Sequence, residues 1–198
     1  MRTAASALAA LLCIFALIAP AHAQQKLPAP VGYVNDFANV IPAEREASIT
    51  RIIDEVRQKS GGEIVVVTLQ SLEGEASSAL AMRIGREWGI GKKGQPGDVA
   101  KETGVVLLVG IDDRQIYIAT GYGTNAFISA TEAGRIQDDH VVPAFRAGDY
   151  GAGIEAGVAA IALQYAERFN FEMTGVTAAD TASRPVQQRR TRGFSPFL

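Results

Sequence analysis

The sequence predicts an α/β fold, a single three-layer α/β/α sandwich around a small mixed sheet. Two runs, Glu63–Leu69 (EIVVVTL) and Gly104–Ile111 (GVVLLVGI), are apolar without alternation, as strands covered on both faces are. Segments of helical period separate and follow them. A tight turn, Asp112-Asp113-Arg114, leads into Gln115–Thr120 (QIYIAT), whose alternating pattern marks a hairpin partner.

Residues 1–23 read as a secretory leader. Arg2 supplies the positive start, and Leu8–Pro20 is apolar but shorter than the ~20 residues a bilayer span needs. Ala21-His22-Ala23 fits the small-x-small cleavage rule, so Gln24 is expected to begin an exported, periplasmic or extracellular chain, with membrane anchorage left open. Residues 24–30 form a Pro-containing linker, and the folded domain is expected over residues 31–170.

Within that domain, Pro42 stands at the first turn of a helix whose positive end favours Glu44 and Glu46. Ile49, Ile52, Ile53 and Val56 recur at helical spacing, and Gly61-Gly62 ends the segment. Asn35, Asp36 and Asn39 belong to the entry into this helix. Ser77–Trp88 carries Leu80, Ala81, Ile84 and Trp88 on one helical face, with Ser77 as its cap. Gly89–Gly104 is a loop with five glycines. Its run GIGKKGQPG lacks the Ser or Thr that a phosphate-binding loop places after Gly-Lys. Ser129–Val142 reads as a helix that stops at Pro143, capped by Ser129 or Thr131, and Gly151–Phe169 as the last helix, striped by Ile154, Val158, Ile161 and Tyr165. Residues 171–198 are polar and aperiodic and are assigned to a disordered basic tail. The helix–strand–helix crossover makes the first two strands parallel, and the hairpin strand runs antiparallel, in a Rossmann-like layering.

Composition removes several chemistries. With 47% apolar residues, 20 Gly and 8 Pro in 198 residues the chain is globular. Its only Cys is Cys13 and its histidines are His22 and His140, so the exported part has one His and no Cys. Zinc ligation and cysteine nucleophiles are thereby excluded, and no G-x-S-x-G elbow offers a serine. A net charge of −2 gives no footprint for nucleic acid. Residues 24–183 carry 14 basic and 21 acidic side chains, whereas 184–198 carry four Arg and no acid. Such an acidic globule suits cations, and the Arg184–Arg192 tail suits anionic lipid.

The topology also gathers acids. Asp36 (with Asn35 and Asn39), Glu73, Glu75, Asp112, Asp113 and Asp149 are all expected at the carboxyl edge of the sheet, where open α/β sheets bind ligands. A hard cation, Ca²⁺ or Mg²⁺, would take their oxygens. The competing reading is that turn aspartates bond nearby backbone and that Asp149 pairs with Arg146.

Val34-Asn35-Asp36-Phe37-Ala38-Asn39-Val40, Trp88-Gly89-Ile90-Gly91, the Gly104–Val109 strand, Asp113-Arg114, Gly121-Tyr122-Gly123 and Pro143-x-Phe145-Arg146-x-Gly148-Asp149-Tyr150 together resemble the TPM domain family, over about residues 31–168. The resemblance implies an α/β sandwich outside the cytoplasm, beside a membrane protein complex. It further implies divalent cations at the acidic end of the fold, and a phosphatase activity in some members. Asp36, Asp113 and Asp149 fall on motif positions, and Asp112 adjoins them. Two functions follow as expectations. One is an accessory binding module that assists a membrane-associated complex. The other is a metal-dependent phosphomonoesterase, in which Asp113 or Asp36 would ligate the cation or move protons and Lys92, Lys93 or Arg114 would neutralise phosphate. Arg114 and two acids around one concave pocket would favour the enzyme. Dispersed acids and an apolar surface patch would favour the module.

Overall fold

Two strands with apolar side chains on both faces need a helical layer on each side, and the chain provides both. The computed structural model describes residues 26–91 and 102–176. The expected leader, the start of the linker, Lys92, Lys93 and the Arg184–Arg192 segment lie outside the described residues. In chain order the elements are β1 (Val34–Asp36), α1 (Ala43–Ser60), β2 (Glu63–Leu69), α2 (Ser77–Glu87), β3 (Gly104–Gly110) and β4 (Gln115–Thr120). After a short 3₁₀ turn come α3 (Ala130–Ile136), a π turn (Gln137–Val141), α4 (Val142–Arg146) and α5 (Tyr150–Phe169). The sheet order is β1-β2-β3-β4, with β1, β2 and β3 parallel and β4 antiparallel to β3.

Every residue of β2 and β3 is buried. Ile64, Val66, Leu107 and Val109 pack under α1 and α5, against Ile49, Ile53, Ile154 and Ile161. Val65, Val67, Val106 and Leu108 face the other way, onto Leu80, Ala81 and Ile84 of α2. This is the three-layer α/β architecture that the two apolar runs predict. Among the described residues no helix is long and apolar enough to cross a membrane.

Four local expectations need correction. Residues 34–36 are not part of the helix entry but a strand, paired Val34↔Val66 to Asp36↔Thr68. Three residues carry too little period to be read as a strand, and Asn and Asp disfavour one. The strand is held instead by buried Asn35, which accepts from Val31 N (2.8 Å) and donates to the carbonyls of Gly32 (2.9 Å) and Val66 (3.3 Å). Ser77 is the first helical residue and not the cap; the cap is Ala76, which makes no side-chain cap bond. The helix from Ser129 does not stop at Pro143. The π turn shifts the bonding register so that Pro143 falls in the first turn of α4, where its missing N–H costs nothing. Finally, residues 171–176 lie on the domain: Phe171 and Met173 pack on the core and Val176 is buried.

That return of the chain onto α1 is fixed by Glu55, which accepts from Lys59 Nζ (2.7 Å) and from Thr174 N (2.6 Å). Partial burial pushes the Glu55 carboxyl up, but the bonds from Lys59 and Thr174 outweigh it and hold its pKa below the ordinary value. A carboxyl depressed in the folded state stabilises above its unfolded pKa and loses that contribution as pH falls through the folded one. Hydrogen exchange should therefore show Thr174 N protected at neutral pH, with protection lost as pH falls through and below the ordinary glutamate range. A Glu55→Gln variant should lack that pH dependence.

Near the C-terminal end of α5, Tyr165 is the largest fully buried side chain among the described residues. Its hydroxyl donates to Thr103 O (2.7 Å), and its ring meets Phe127 edge-on at 5.1 Å. Burial pushes the Tyr165 hydroxyl pKa well up, so it stays a neutral donor. Gly62 lies against this ring, and a Cβ there would stand 2.2 Å from Tyr165 Cε1. In urea denaturation, Gly62→Ala should cost about 1–3 kcal/mol by overpacking. Tyr165→Phe should cost about 0.5–1.5 kcal/mol by removing one of the two donors to the Thr103 carbonyl, the Glu63 N–H (3.0 Å) remaining. Unchanged midpoints in both would refute this packing.

Candidate functional site

The parallel topology brings Asp36, Asp112 and Asp113 to the carboxyl edge, as the sequence predicts, but each is engaged locally. Asp36, at the end of β1, accepts from Val40 N (3.1 Å), Ile41 N (2.8 Å) and the Thr68 hydroxyl. Thr68 in turn accepts from Ala38 N at 3.1 Å. The Asp36 carboxylate thus shapes the turn from β1 into α1, and Asn39 occupies the left-handed position of that turn with φ 54°. Asp112 is exposed and accepts from Gln70 Nε2 (2.6 Å), while Asp113 accepts from Leu72 N (2.7 Å). These two bonds tie the β3–β4 turn to the loop leaving β2. Arg114, exposed and left-handed at φ 51°, closes the same turn through its backbone N–H to Ile111 O (3.2 Å).

Asp149 serves α5 as its cap, accepting from Ala152 N at 2.8 Å. Its ion-pair partner is Arg45 (3.4 Å) rather than Arg146, because α1 packs beside α5 and brings Arg45 between Asp149 and Glu155 (2.6 Å). Glu75 is held by the nearly buried Arg83 through two bonds, at 3.2 and 2.7 Å. Asn35, a candidate ligand in the sequence, is fully buried within β1. Among the described residues no group of three or more His, Cys, Asp or Glu side chains is close enough to hold a metal ion.

A concavity of about 360 Å³ opens at the opposite edge of the sheet, between α2 and the end of β4. Met82, Gly85 and Arg86 form one wall and Ala119, Gly121 and Tyr122 the other. Two of the few exposed large apolar side chains, Met82 (48%) and Tyr122 (87%), stand here. The cleft is shaped by backbone crossing at close range. A Cβ on Gly91 would lie 2.4 Å from Gly104 N, and one on Gly121 would lie 2.4 Å from Glu102 O. Buried Glu63 fixes the crossing by accepting from Gly91 N at 2.7 Å. Those contacts give a physical reason for the Trp88-Gly89-Ile90-Gly91 and Gly121-Tyr122-Gly123 motifs. Sequence reading assigned the glycines to loops and missed Met82, which lies off the apolar stripe of its helix. The available signal was Tyr122 itself, an aromatic residue between two glycines.

The fold and its motifs define an α/β sandwich domain of the TPM type. The family model for the TPM domain matches residues 34–164, more than half of the 198-residue chain, and the chain belongs to that family. It is similar to the N-terminal domain of a P. gingivalis protein, with 25% identity, a TM-score of 0.63, and coverage of 72% of this chain and 87% of that one. The BA42 protein of the psychrophilic bacterium Bizionia argentinensis shares the fold at 19% identity and a TM-score of 0.55, covering 75% and 94%. So does the N-terminal domain of the cg2496 protein of Corynebacterium glutamicum, at 17% identity and 0.52, covering 77% and 93%. No curated protein matches the chain.

If the carboxylates act as turn ligands, their substitution should read as stability. Asp36→Ala strands two backbone donors and should cost about 1–2 kcal/mol in urea denaturation. Asp112→Asn, at an exposed position, should stay within about 0.5 kcal/mol of the parent. The reverse order would contradict the assignment.

Proposed function

We propose that this chain is an exported TPM-domain binding module that assists a membrane-associated protein complex, with the α2–β4 cleft as its recognition surface. The observation that carries this reading is that the four candidate cation ligands of the sequence stand away from the concavity. Asp36, Asp112, Asp113 and Asp149 each serve a turn, a cap or an ion pair, while the cleft is lined mostly by apolar side chains and backbone, with Arg86 and Glu102 as its charged members. Arg114 lies on the β3–β4 turn and does not line the cleft. Among the described residues, those four carboxylates do not converge on one concavity, as a shared reacting centre would ask of them. Export is supported by the leader pattern of residues 1–23.

A divalent cation at the carboxyl edge, Ca²⁺ or Mg²⁺, is a second reading. What supports it is the adjacency of Asp112 and Asp113 in one turn, each accepting a single hydrogen bond, on a domain with excess acid. Oxygens left over in such a turn can enter a coordination sphere completed by water.

The test is a phosphomonoester assay of the chain with Mg²⁺ or Ca²⁺, paired with calorimetric titration of each cation. The binding module predicts no turnover. Cation uptake weakened by Asp113→Asn without loss of fold would establish the second reading beside it. Turnover that disappears in Asp113→Asn would instead favour a metal-dependent phosphomonoesterase and overturn the proposal.

A further inference from the structure

Among the residues lining the α2–β4 cleft, Met82 is the one that mild oxidation turns from apolar to polar. The chain has three methionines, Met1, Met82 and Met173, of which Met82 and Met173 fall among the described residues. Met173 is half-buried against the core, whereas Met82 is 48% exposed. We propose that Met82 is an oxidation site: a hydroperoxide converts its thioether to the sulfoxide, and the cleft then loses affinity for apolar partners. The proposal deepens the reading of the cleft as a recognition surface and rests on it.

Three observations carry it. The first is placement. Met82, Gly85 and Arg86 are three and four positions apart, so they share the face of α2 that walls the cleft, while Leu80, Ala81 and Ile84 hold the helix to the sheet. A long apolar side chain thus stands off the apolar stripe of its helix, at the lip of a concavity. The second is the lack of a cover. Helical side chains lean toward the N-terminus, so those at 85 and 86 are the ones placed to screen residue 82. Position 85 is glycine and has none, and Arg86 is itself exposed. The third is what the thioether does there. Tyr122, 87% exposed, lines the opposite wall, and sulfur and ring together form the apolar rim that a partner would cover. A sulfoxide in that place is polar and chiral, and it must be desolvated whenever an apolar surface closes over the cleft. The oxidation balances with hydrogen peroxide. A sulfur lone pair attacks one peroxide oxygen, the S–O bond forms as the O–O bond breaks, and the departing hydroxide takes the proton from the transferred oxygen and leaves as water. Sulfur is oxidised by one electron pair and the peroxide is reduced by it.

The experiment treats the whole chain with hydrogen peroxide and follows each methionine by peptide mass spectrometry. Met82 should gain oxygen several-fold faster than Met173 in the folded chain, with the two rates converging in urea. Oxidation of Met82 no faster than that of Met173 would overturn the proposal. Binding of anilinonaphthalene sulfonate then reads the cleft itself, with Gly85→Leu as the variant that fills it. There the new Cβ would meet only Val106 Cγ2, at an ordinary 3.6 Å, so that chain should fold and lose the dye. The proposal predicts several-fold weaker dye binding by the parent after peroxide. In Met82→Leu, compared only with its own untreated form, peroxide should change nothing. Oxidised Met82 with dye binding unaltered, or a loss that persists in Met82→Leu, would overturn the proposal and leave the cleft standing, provided that Gly85→Leu still abolishes binding. Binding indifferent to Gly85→Leu would overturn the reading of the cleft, and the proposal with it.

Discussion

The burial of β2 and β3 on both faces is the constraint on which the rest depends. Neither strand has a solvent face, so the sheet is unstable until α1 and α5 cover one side and α2 the other. Each side chain so buried contributes on the order of 1.5–3 kcal/mol. The register Glu63↔Gly104 to Leu69↔Gly110 then fixes everything at the two ends of the pair. At one end the loops must turn tightly and recruit aspartates. At the other the chain must cross over itself, which it does where glycines permit backbone contact.

Function divides along the same axis. Carboxylates at the carboxyl edge are consumed by the geometry that places them: Asp36 forms the turn into α1, Asp113 joins two loops, and Asp149 starts α5 while holding Arg45. The crossing at the far edge cannot be filled by side chains, because Gly91 and Gly121 have no room for one. A cleft is what remains there, and its rim exposes Met82 and Tyr122. The same close backbone crossing thus leaves Met82 and Tyr122 exposed at the rim of a cleft.

Long periodic elements were legible because many residues vote for them: EIVVVTL, GVVLLVGI and the Ile49–Val56 stripe each declare their faces. The meeting of Asp36, Asp112 and Asp113 at one edge followed from the parallel crossover alone. What was illegible depended on single contacts. β1 exists because buried Asn35 bonds across to Val66 O, and helix continues past Pro143 because a π turn resets the register. Which partner an acid takes is also a tertiary fact, as Asp149 shows by choosing Arg45 over Arg146. The cleft leaves little trace in the sequence because much of its lining is glycine and alanine, and Met82, Arg86 and Tyr122 come together only through the fold.

The central claim is that recognition occurs at the α2–β4 cleft rather than at the carboxyl edge. A photo-crosslinking residue placed at Tyr122, and in a second chain at Gln70 beside Asp112, tests it directly in membranes of cells that produce the protein. The account predicts a discrete protein adduct from position 122, diminished by Gly85→Leu, and none from position 70. An adduct from position 70 with none from position 122 would contradict it.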